Sequence, residues 1–216
     1  MDKLDNLLKK NWSNWKKSFP LSNRLDPLVS GGLFNSKKLN LYFMINELVK
    51  EFCINGVYLE IGIHRGASII CASYKNLTTR CIGIDHFALH CSPGEDTEET
   101  FLENQKIYGN KNIEYIKAEA LEGLDKLFTN EPDLKIDMFY FDATHDYKSQ
   151  MASLNKVKSH IKNGGLICID DLVIKGVSES IDTFLLQNNN FNLMFRYNDN
   201  REYWWNGWAI LMKTED

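Results

Sequence analysis

Six carboxylate side chains lie at or just beyond the ends of short apolar segments, where they could bind a cation or the hydroxyls of a cofactor. They are Glu60, Asp85, Glu119, Asp142, Asp170 and Asp171. One carboxylate at the end of a strand is common and means little. Several are more informative, because the carboxyl ends of parallel strands meet at one edge of a sheet, where ligands bind.

The segment YLEIGIHRGAS, residues 58–68, has the form of a cofactor-binding turn. An apolar run reaches Glu60, the chain turns through Gly62 and Gly66, and a helical pattern follows. Glycines let the backbone approach a ligand, and the start of a helix presents free N–H groups. Asp85 ends the next apolar run, where a carboxylate can accept hydrogen bonds from ribose hydroxyls. A glycine-containing turn in an unrelated α/β protein is the open alternative.

The spacing Glu60-x-Gly62-x-x-x-Gly66-x-Ser68 is not the dinucleotide-binding G-x-G-x-x-G. His64 stands where the second close glycine would be, and a pyrophosphate needs that close approach. The spacing therefore favours an adenosyl cofactor without a pyrophosphate.

Asp142 follows the run IDMFYF, and Asp170 and Asp171 follow GGLICI. If these strands are neighbours, their ends bring three carboxylates together, and the charges repel unless a cation neutralises them. An all-oxygen cluster suits Mg²⁺, Mn²⁺ or Ca²⁺ rather than zinc. The alternative is that Asp142 alone serves the cofactor and the other two acids cap the next loop.

His145 lies three residues beyond Asp142, in a loop before a predicted helix. A histidine at that position can accept a proton near neutral pH. The alternative is a solvated loop residue beside the start of the helix.

Short apolar runs alternate with helical patterns from residue 57 onward. Strands are predicted at 57–61, 81–85, 113–117, 136–141 and 165–170. Helices are predicted at 66–75, 97–107, 119–129, 146–162 and about 176–188. This alternation predicts a parallel sheet with right-handed crossovers. Two further strand patterns, 191–197 and 208–213, predict an antiparallel hairpin at one sheet edge.

The first 55 residues form a separate prediction. Helices are expected at 2–17 and 37–53, with a loop at 18–36. We predict that region 1–55 caps the substrate or forms an oligomer contact, and that 56–216 is one globular cofactor-binding domain. The tryptophans near both ends of the chain are predicted to line an acceptor pocket. The alternative is that they pack in the core or form a dimer contact. They are Trp12, Trp15, Trp204, Trp205 and Trp208.

Composition narrows the class of protein. The chain has 216 residues, 44% of them hydrophobic and 25% charged, with a net charge of −4. No basic stripe predicts nucleic-acid binding, and no apolar run is long enough for a membrane span. The five cysteines show no C-x-x-C pair, and the N-terminus lacks a signal-peptide pattern, so we expect a reduced, cytoplasmic location.

These residues together resemble the class I S-adenosylmethionine-dependent methyltransferases, over about residues 56–213. The glycine segment has the form of that family's first motif. The chain looks most like the metal-dependent O-methyltransferases of the catechol and macrolide-sugar (macrocin-type) groups. The resemblance implies an α/β, Rossmann-like three-layer sandwich with N-terminal helices. Its seven-stranded, mostly parallel sheet would have the order 3-2-1-4-5-7-6 and end in an antiparallel hairpin.

The resemblance also implies roles for individual residues. Asp142, Asp170 and Asp171 match the three metal ligands, and His145 matches the catalytic base. Asp142 is therefore implied to be both a metal ligand and a catalytic residue. Asp85 would hold the cofactor ribose. The residues implied to bind the cofactor are Glu60, Gly62, Ile63, His64, Gly66, Ser68, Asp85, His86, Glu119 and Ala120.

Three departures limit what the resemblance implies. The macrolide-sugar group has Asp-Gly-Asp-His where this chain has Asp142-Ala143-Thr144-His145. Ala143 cannot stack on adenine as a catechol-group side chain does, and Asp171 replaces an asparagine. The substrate class therefore does not transfer.

The expected function is methyl transfer from S-adenosylmethionine, with Mg²⁺, Mn²⁺ or Ca²⁺, to a hydroxyl of a small molecule such as a vicinal diol, sugar or catechol. The alternatives are a metal-independent methyltransferase acting on nitrogen or a carboxylate, a non-catalytic binder of the cofactor, and a nicotinamide oxidoreductase. We expect no nucleic-acid or membrane partner, and a homodimer is left open.

Overall fold

The computed structural model describes residues 2–12, 36–88, 94–108, 110–198 and 206–215. Seven helices are described: α1 (Asp2–Trp12), α2 (Ser36–Phe52), α3 (Ala67–Ser73), α4 (Thr97–Tyr108), α5 (Ala120–Asn130), α6 (Tyr147–Val157) and α7 (Lys175–Gln187). Seven strands are described: β1 (Val57–Ile61), β2 (Arg80–Asp85), β3 (Ile113–Lys117), β4 (Ile136–Phe141), β5 (Ile161–Asp170), β6 (Phe191–Tyr197) and β7 (Trp208–Lys213).

The strands form one sheet in the order β3-β2-β1-β4-β5-β7-β6, which confirms the predicted order. The first five strands are parallel, and β7 runs antiparallel to both β5 and β6. The strand order reverses between β1 and β4. Strands β1, β2 and β3 follow one another toward one edge of the sheet, and the segment after β3 then carries the chain back past β2 and β1 to β4. Ligands bind at such a switch point, outside the carboxyl ends of the strands.

The sheet has a hydrophobic core on each face, because successive side chains of a strand point to opposite faces. In β4, Met138 and Tyr140 belong to one core, and Phe139 and Phe141 belong to the other. The first core includes helices α2 and α3, and the second includes α5, α6 and α7. The predicted three-layer sandwich is therefore confirmed.

The N-terminal helices pack on the first core. Leu4 and Leu8 of α1 and Leu41 and Ile45 of α2 are buried in the same cluster as Trp208 of β7. Trp208 is thus a core residue, which agrees with the alternative prediction that the tryptophans serve core packing. Several predicted features lie outside the described residues: Trp15, Trp204 and Trp205, the predicted loop 18–36 up to residue 35, the end of the predicted helix 2–17, and the side chain of Trp12. The cap or oligomer role of region 1–55 stays a prediction.

One predicted helix was too long. The helix expected at 146–162 ends at Val157, and Ile161 already pairs with Ile136 as the first residue of β5. Ile161 fits the apolar spacing of the helix and is buried in the strand, so periodicity cannot separate the two. Within the described residues, no helix has the length and apolar character needed to cross a membrane.

Candidate active site

A cavity of about 540 Å³ opens at the carboxyl edge of β1, β2 and β4. Its volume lies within the roughly 300–1,000 Å³ of typical small-molecule sites. Its walls come from the glycine turn, the ends of β2 and β3, the loop after β4, helix α2 and the segment after β5. The lining residues are Tyr42, Ile61, Gly62, Ile63, His64, Ala67, Ser68, Ile84, Asp85, His86, Ala88, Ala118, Glu119, Ala120, Asp142, Ala143, Thr144, His145, Asp171, Ile174 and Asn206.

Gly62 lets the glycine turn touch the loop after β4. Its φ is +92°, and a Cβ added there would lie 1.8 Å from the carbonyl oxygen of Asp142. Any larger residue would be strained and would push the two segments apart. Glycine at this position therefore brings the predicted cofactor turn and the first predicted metal ligand into contact.

The Asp85 carboxylate closes the turn at the end of β2. Its Oδ2 accepts from the backbone N–H of His64 at 2.7 Å, and its Oδ1 accepts from that of Phe87 at 2.7 Å. Both donors belong to residues with positive φ, 48° for His64 and 57° for Phe87. Each carboxylate oxygen can accept a further hydrogen bond. Asp85 thus fixes two unusual backbone turns and can still accept from ribose hydroxyls in the cavity.

Glu60 lies behind the cavity instead of lining it. The side chain is fully buried, its Oε2 accepts from the Tyr58 hydroxyl at 2.6 Å, and its Oε1 accepts from the Ser68 hydroxyl. Burial raises the pKa of Glu60 from 4.5 to about 8, against the lowering effect of these two hydrogen bonds. Glu60 therefore supports Ser68, which does line the cavity, and its predicted contact with the cofactor stays untested.

Asp142, His145 and Asp171 form a cluster at one end of the cavity, which we call the acid–histidine cluster. One ligand atom from each lies within 4.8 Å of the other two. His145 Nε2 is 3.0 Å from Asp171 Oδ2. Asp171 has φ +60°, and its Oδ1 accepts from the Asn206 amide at 2.7 Å, which fixes its orientation. The two carboxylates supply oxygen ligands that suit Mg²⁺, Mn²⁺ or Ca²⁺, whereas an imidazole is more typical of zinc and other transition metals. The predicted metal therefore fits the two carboxylates of the cluster and leaves His145 out of its ligands.

Asp170, the remaining predicted metal ligand, adjoins the cluster but is not one of its three members. Its Oδ2 accepts from the buried hydroxyl of Tyr140 at 3.0 Å, and its Oδ1 accepts from the backbone N–H of Asp171 at 2.9 Å. Tyr140 also lies 3.4 Å from Asp142 Oδ2. Burial and the two carboxylates raise the pKa of Tyr140, so the hydroxyl keeps its one proton, which it can donate to Asp170 or to Asp142.

The lining of the cavity is negatively charged. Four carboxylates line it, and no lysine or arginine of the described residues does; the acids are Asp85, Glu119, Asp142 and Asp171. Burial, followed by the Arg65 guanidinium, lowers the pKa of His64 below its ordinary 6.5, so His64 is neutral at neutral pH. A lining of this kind favours cations and disfavours phosphates.

Most of the predicted cofactor residues meet at this cavity. Those that line it are Gly62, Ile63, His64, Ser68, Asp85, His86, Glu119 and Ala120. Gly66, with φ +89°, lies at the start of α3 against the Phe101 ring. The sequence reasoning missed Tyr42 and Asn206, because Tyr42 follows the apolar pattern of α2 and Asn206 stands in a segment that resembles an ordinary turn.

Comparison with known proteins agrees with the geometry. A family model described as "Methyltransferase domain" matches residues 59–172, more than half of the chain. A search of curated proteins finds no match.

Three solved structures share the fold. A Klebsiella pneumoniae protein described as a candidate O-methyltransferase has a TM-score of 0.73 and 16% identity, covering 98% of this chain and 96% of its own. The O-methyltransferase TomG from Streptomyces achromogenes, in complex with SAM, has 0.69 and 13%, covering 100% of both chains. CalS11, a TDP-rhamnose 3′-O-methyltransferase of calicheamicin biosynthesis, has 0.64 and 15%, covering 98% and 94%.

Proposed function

We propose, from the premise that this chain belongs to the methyltransferase domain family, that it transfers a methyl group from S-adenosylmethionine to a hydroxyl oxygen of a small molecule. The observation that carries the proposal is the shared cavity. The glycine turn with Asp85 and the acid–histidine cluster line one space, so a cofactor and an acceptor can be held side by side. Holding two reactants in place can supply about 7–11 kcal/mol of a barrier.

The cofactor end of the cavity suits a cationic adenosyl group. Asp85 would accept from the ribose hydroxyls, and Glu119 and Ala120, which the resemblance implies as cofactor-binding residues, line the same cavity. A sulfonium is positively charged, and the negatively charged lining with a neutral His64 favours it. A dinucleotide carries a pyrophosphate, which would find no lining lysine or arginine among the described residues. The nicotinamide oxidoreductase is therefore the weaker alternative.

The acceptor end would hold a divalent ion such as Mg²⁺ on Asp142 and Asp171, with Asp170 adjoining them. When bound, such an ion lowers the pKa of a coordinated hydroxyl. Asn206 orients Asp171, and Tyr140 can donate to Asp170 or to Asp142, so hydrogen bonds help to hold the carboxylates. These contacts support the predicted metal site.

His145 is the proposed base. Its side chain is 39% exposed and lines the cavity, so it can accept the proton of the acceptor hydroxyl and release it to solvent. Asp171, 3.0 Å from Nε2, would fix the ring and stabilise its protonated form. The deprotonated oxygen would then bond to the methyl carbon as the bond from that carbon to sulfur breaks, and the electron pair of that bond would stay on sulfur in the leaving S-adenosylhomocysteine.

A hydroxyl acceptor is proposed because two adjacent oxygens, as in a vicinal diol, sugar or catechol, could chelate a divalent ion held by Asp142 and Asp171. CalS11, which shares the fold, is described as a TDP-rhamnose 3′-O-methyltransferase, and the likeness at 15% identity supports the fold alone. Tyr42 and Ile174 line the cavity and would contact the acceptor. Tyr42 belongs to α2, in keeping with the proposed cap role of region 1–55.

The experiment is a methyl-transfer assay with radiolabelled S-adenosylmethionine and a panel of catechols, diols and sugars, with and without EDTA. We expect label transfer that EDTA removes and Mg²⁺ restores, with at least about 100-fold loss in His145→Ala. Calorimetry with S-adenosylhomocysteine tests the cofactor independently. No binding of that product by a folded protein would contradict the proposal, whatever the acceptor panel shows.

One observation favours a second candidate, a metal-independent methyltransferase. His145 Nε2 lies 3.0 Å from Asp171 Oδ2, and a histidine–carboxylate pair can remove a proton unaided. Full activity in EDTA, with loss of activity in Asp171→Asn, would establish this second mechanism.

A further inference from the structure

Gln150 is a buried polar side chain that the proposed function does not explain. It is fully buried in α6, and neither atom of its amide has a hydrogen-bond partner within the part of the chain that the structure describes. Buried amides are nearly always satisfied, so each exception in a native protein calls for a specific explanation. An unsatisfied amide also destabilises the fold, which makes an apolar residue the better choice unless the amide has a role.

Gln150 lies beside the acid–histidine cluster. Helix α6 begins at Tyr147, and the Asp146 side chain caps it by accepting from the Ser149 N–H at 2.9 Å. Side chains of a helix lean toward its N-terminus, so Gln150, in the first turn, leans toward the loop after β4. It lines a small space together with Asp142 and His145.

The two acids at the end of β5, Asp170 and Asp171, line the same space. This space is too small to admit a water molecule, which would need room and several polar partners. On this side of the amide, the groups that could satisfy it are therefore those of the lining, although none of them bonds it in this structure. Its hydrogen-bonding side chains are carboxylates, the His145 imidazole and the Thr144 hydroxyl.

We propose that Gln150 is a positioning residue, which holds Asp142, Asp170 and Asp171 in the arrangement that binds a divalent ion by donating its amide N–H to one of these carboxylates when the ion is bound. The inference rests on the metal site of the proposed function. Residues that orient metal ligands typically change metal affinity about 10–100-fold when replaced. Gln150 would act through the carboxylates and would not touch the substrate.

The test is calorimetric titration of Mn²⁺ into the full chain. Gln150→Met keeps the size of the side chain and removes the amide. Ser153→Ala is the matched control, because Ser153 lies one turn later in α6, is fully buried, and has a hydroxyl with no partner among the described residues. Ser153 does not line the small space. We expect Gln150→Met to lose about 10-fold or more in Mn²⁺ affinity and Ser153→Ala to keep it.

Unchanged Mn²⁺ affinity in Gln150→Met would overturn the role of Gln150, and so would an equal loss in both variants, which would indicate a packing effect. No Mn²⁺ binding by the unchanged protein would overturn the metal site itself, while calorimetry with S-adenosylhomocysteine would still test the cofactor site. If Gln150→Met does not fold, Gln150→Glu replaces it. Its added charge should enlarge the rise in melting temperature on adding Mn²⁺, and the same rise as in the unchanged protein would refute the proposal.

Discussion

The buried carboxyl of Glu60 predicts how stability changes with pH. Its pKa is raised to about 8 from 4.5, mainly by burial, so the native state keeps a proton that the unfolded state releases. A raised pKa favours the fold at low pH, and that contribution is lost as the pH rises from 4.5 through about 8. Between pH 5.5 and 7.5 the free energy of unfolding should fall by about 2.5 kcal/mol from this group alone.

Glu60→Gln isolates this contribution, because it keeps the shape and removes the titration. Urea unfolding of both proteins at several pH values gives the difference in unfolding free energy, which cancels the other titrating groups. We expect the variant to gain on the unchanged protein by about 2.5 kcal/mol across that window. A difference that does not vary with pH would refute the reasoning, and would show that Glu60 is ionised in the native protein.

Two further variants test other parts of the site, and a third tests the ion pair that Arg65, next to His64, forms with Glu95. Gly62→Ala should cost at least about 2 kcal/mol in urea unfolding, since its Cβ would meet the Asp142 carbonyl; a stable variant would contradict the close contact. Arg65→Met should cost about 3–5 kcal/mol, because the largely buried Glu95 carboxylate would lose its 2.6 Å salt bridge, and adding Glu95→Gln should recover part of the loss. Asp85→Asn should weaken S-adenosylhomocysteine binding about 10–100-fold by calorimetry, and unchanged affinity would exclude the ribose contact.

Much of the fold could be predicted because its signals are local. The apolar runs that became β1, β3 and β4 have the predicted bounds, and β2 begins one residue earlier. The strand order came from the resemblance, since no local pattern states which strands are neighbours. The start of β5 could not be predicted, because Ile161 is buried and apolar in either a helix or a strand.

The candidate site, too, could be predicted only in part from the sequence. Strand-end position predicted that Asp85 and Asp142 would share one cavity, because the parallel sheet brings those ends together. The orientation of a side chain is a tertiary property, so the sequence could not show that Asp170 accepts from Tyr140 while His145 joins Asp171. The same holds for Gln150, whose burial beside the acids depends on how α6 packs.

The central claim is that the cofactor and a divalent ion occupy adjacent parts of one cavity. Bound S-adenosylmethionine labelled with ¹³C on its methyl group, observed by NMR as Mn²⁺ is added, tests this most directly. We predict strong paramagnetic broadening of the methyl signal, with Mg²⁺ as the diamagnetic control and Asp142→Asn, Asp171→Asn as the double variant that loses the effect. A sharp methyl signal while both ligands are bound would contradict the account.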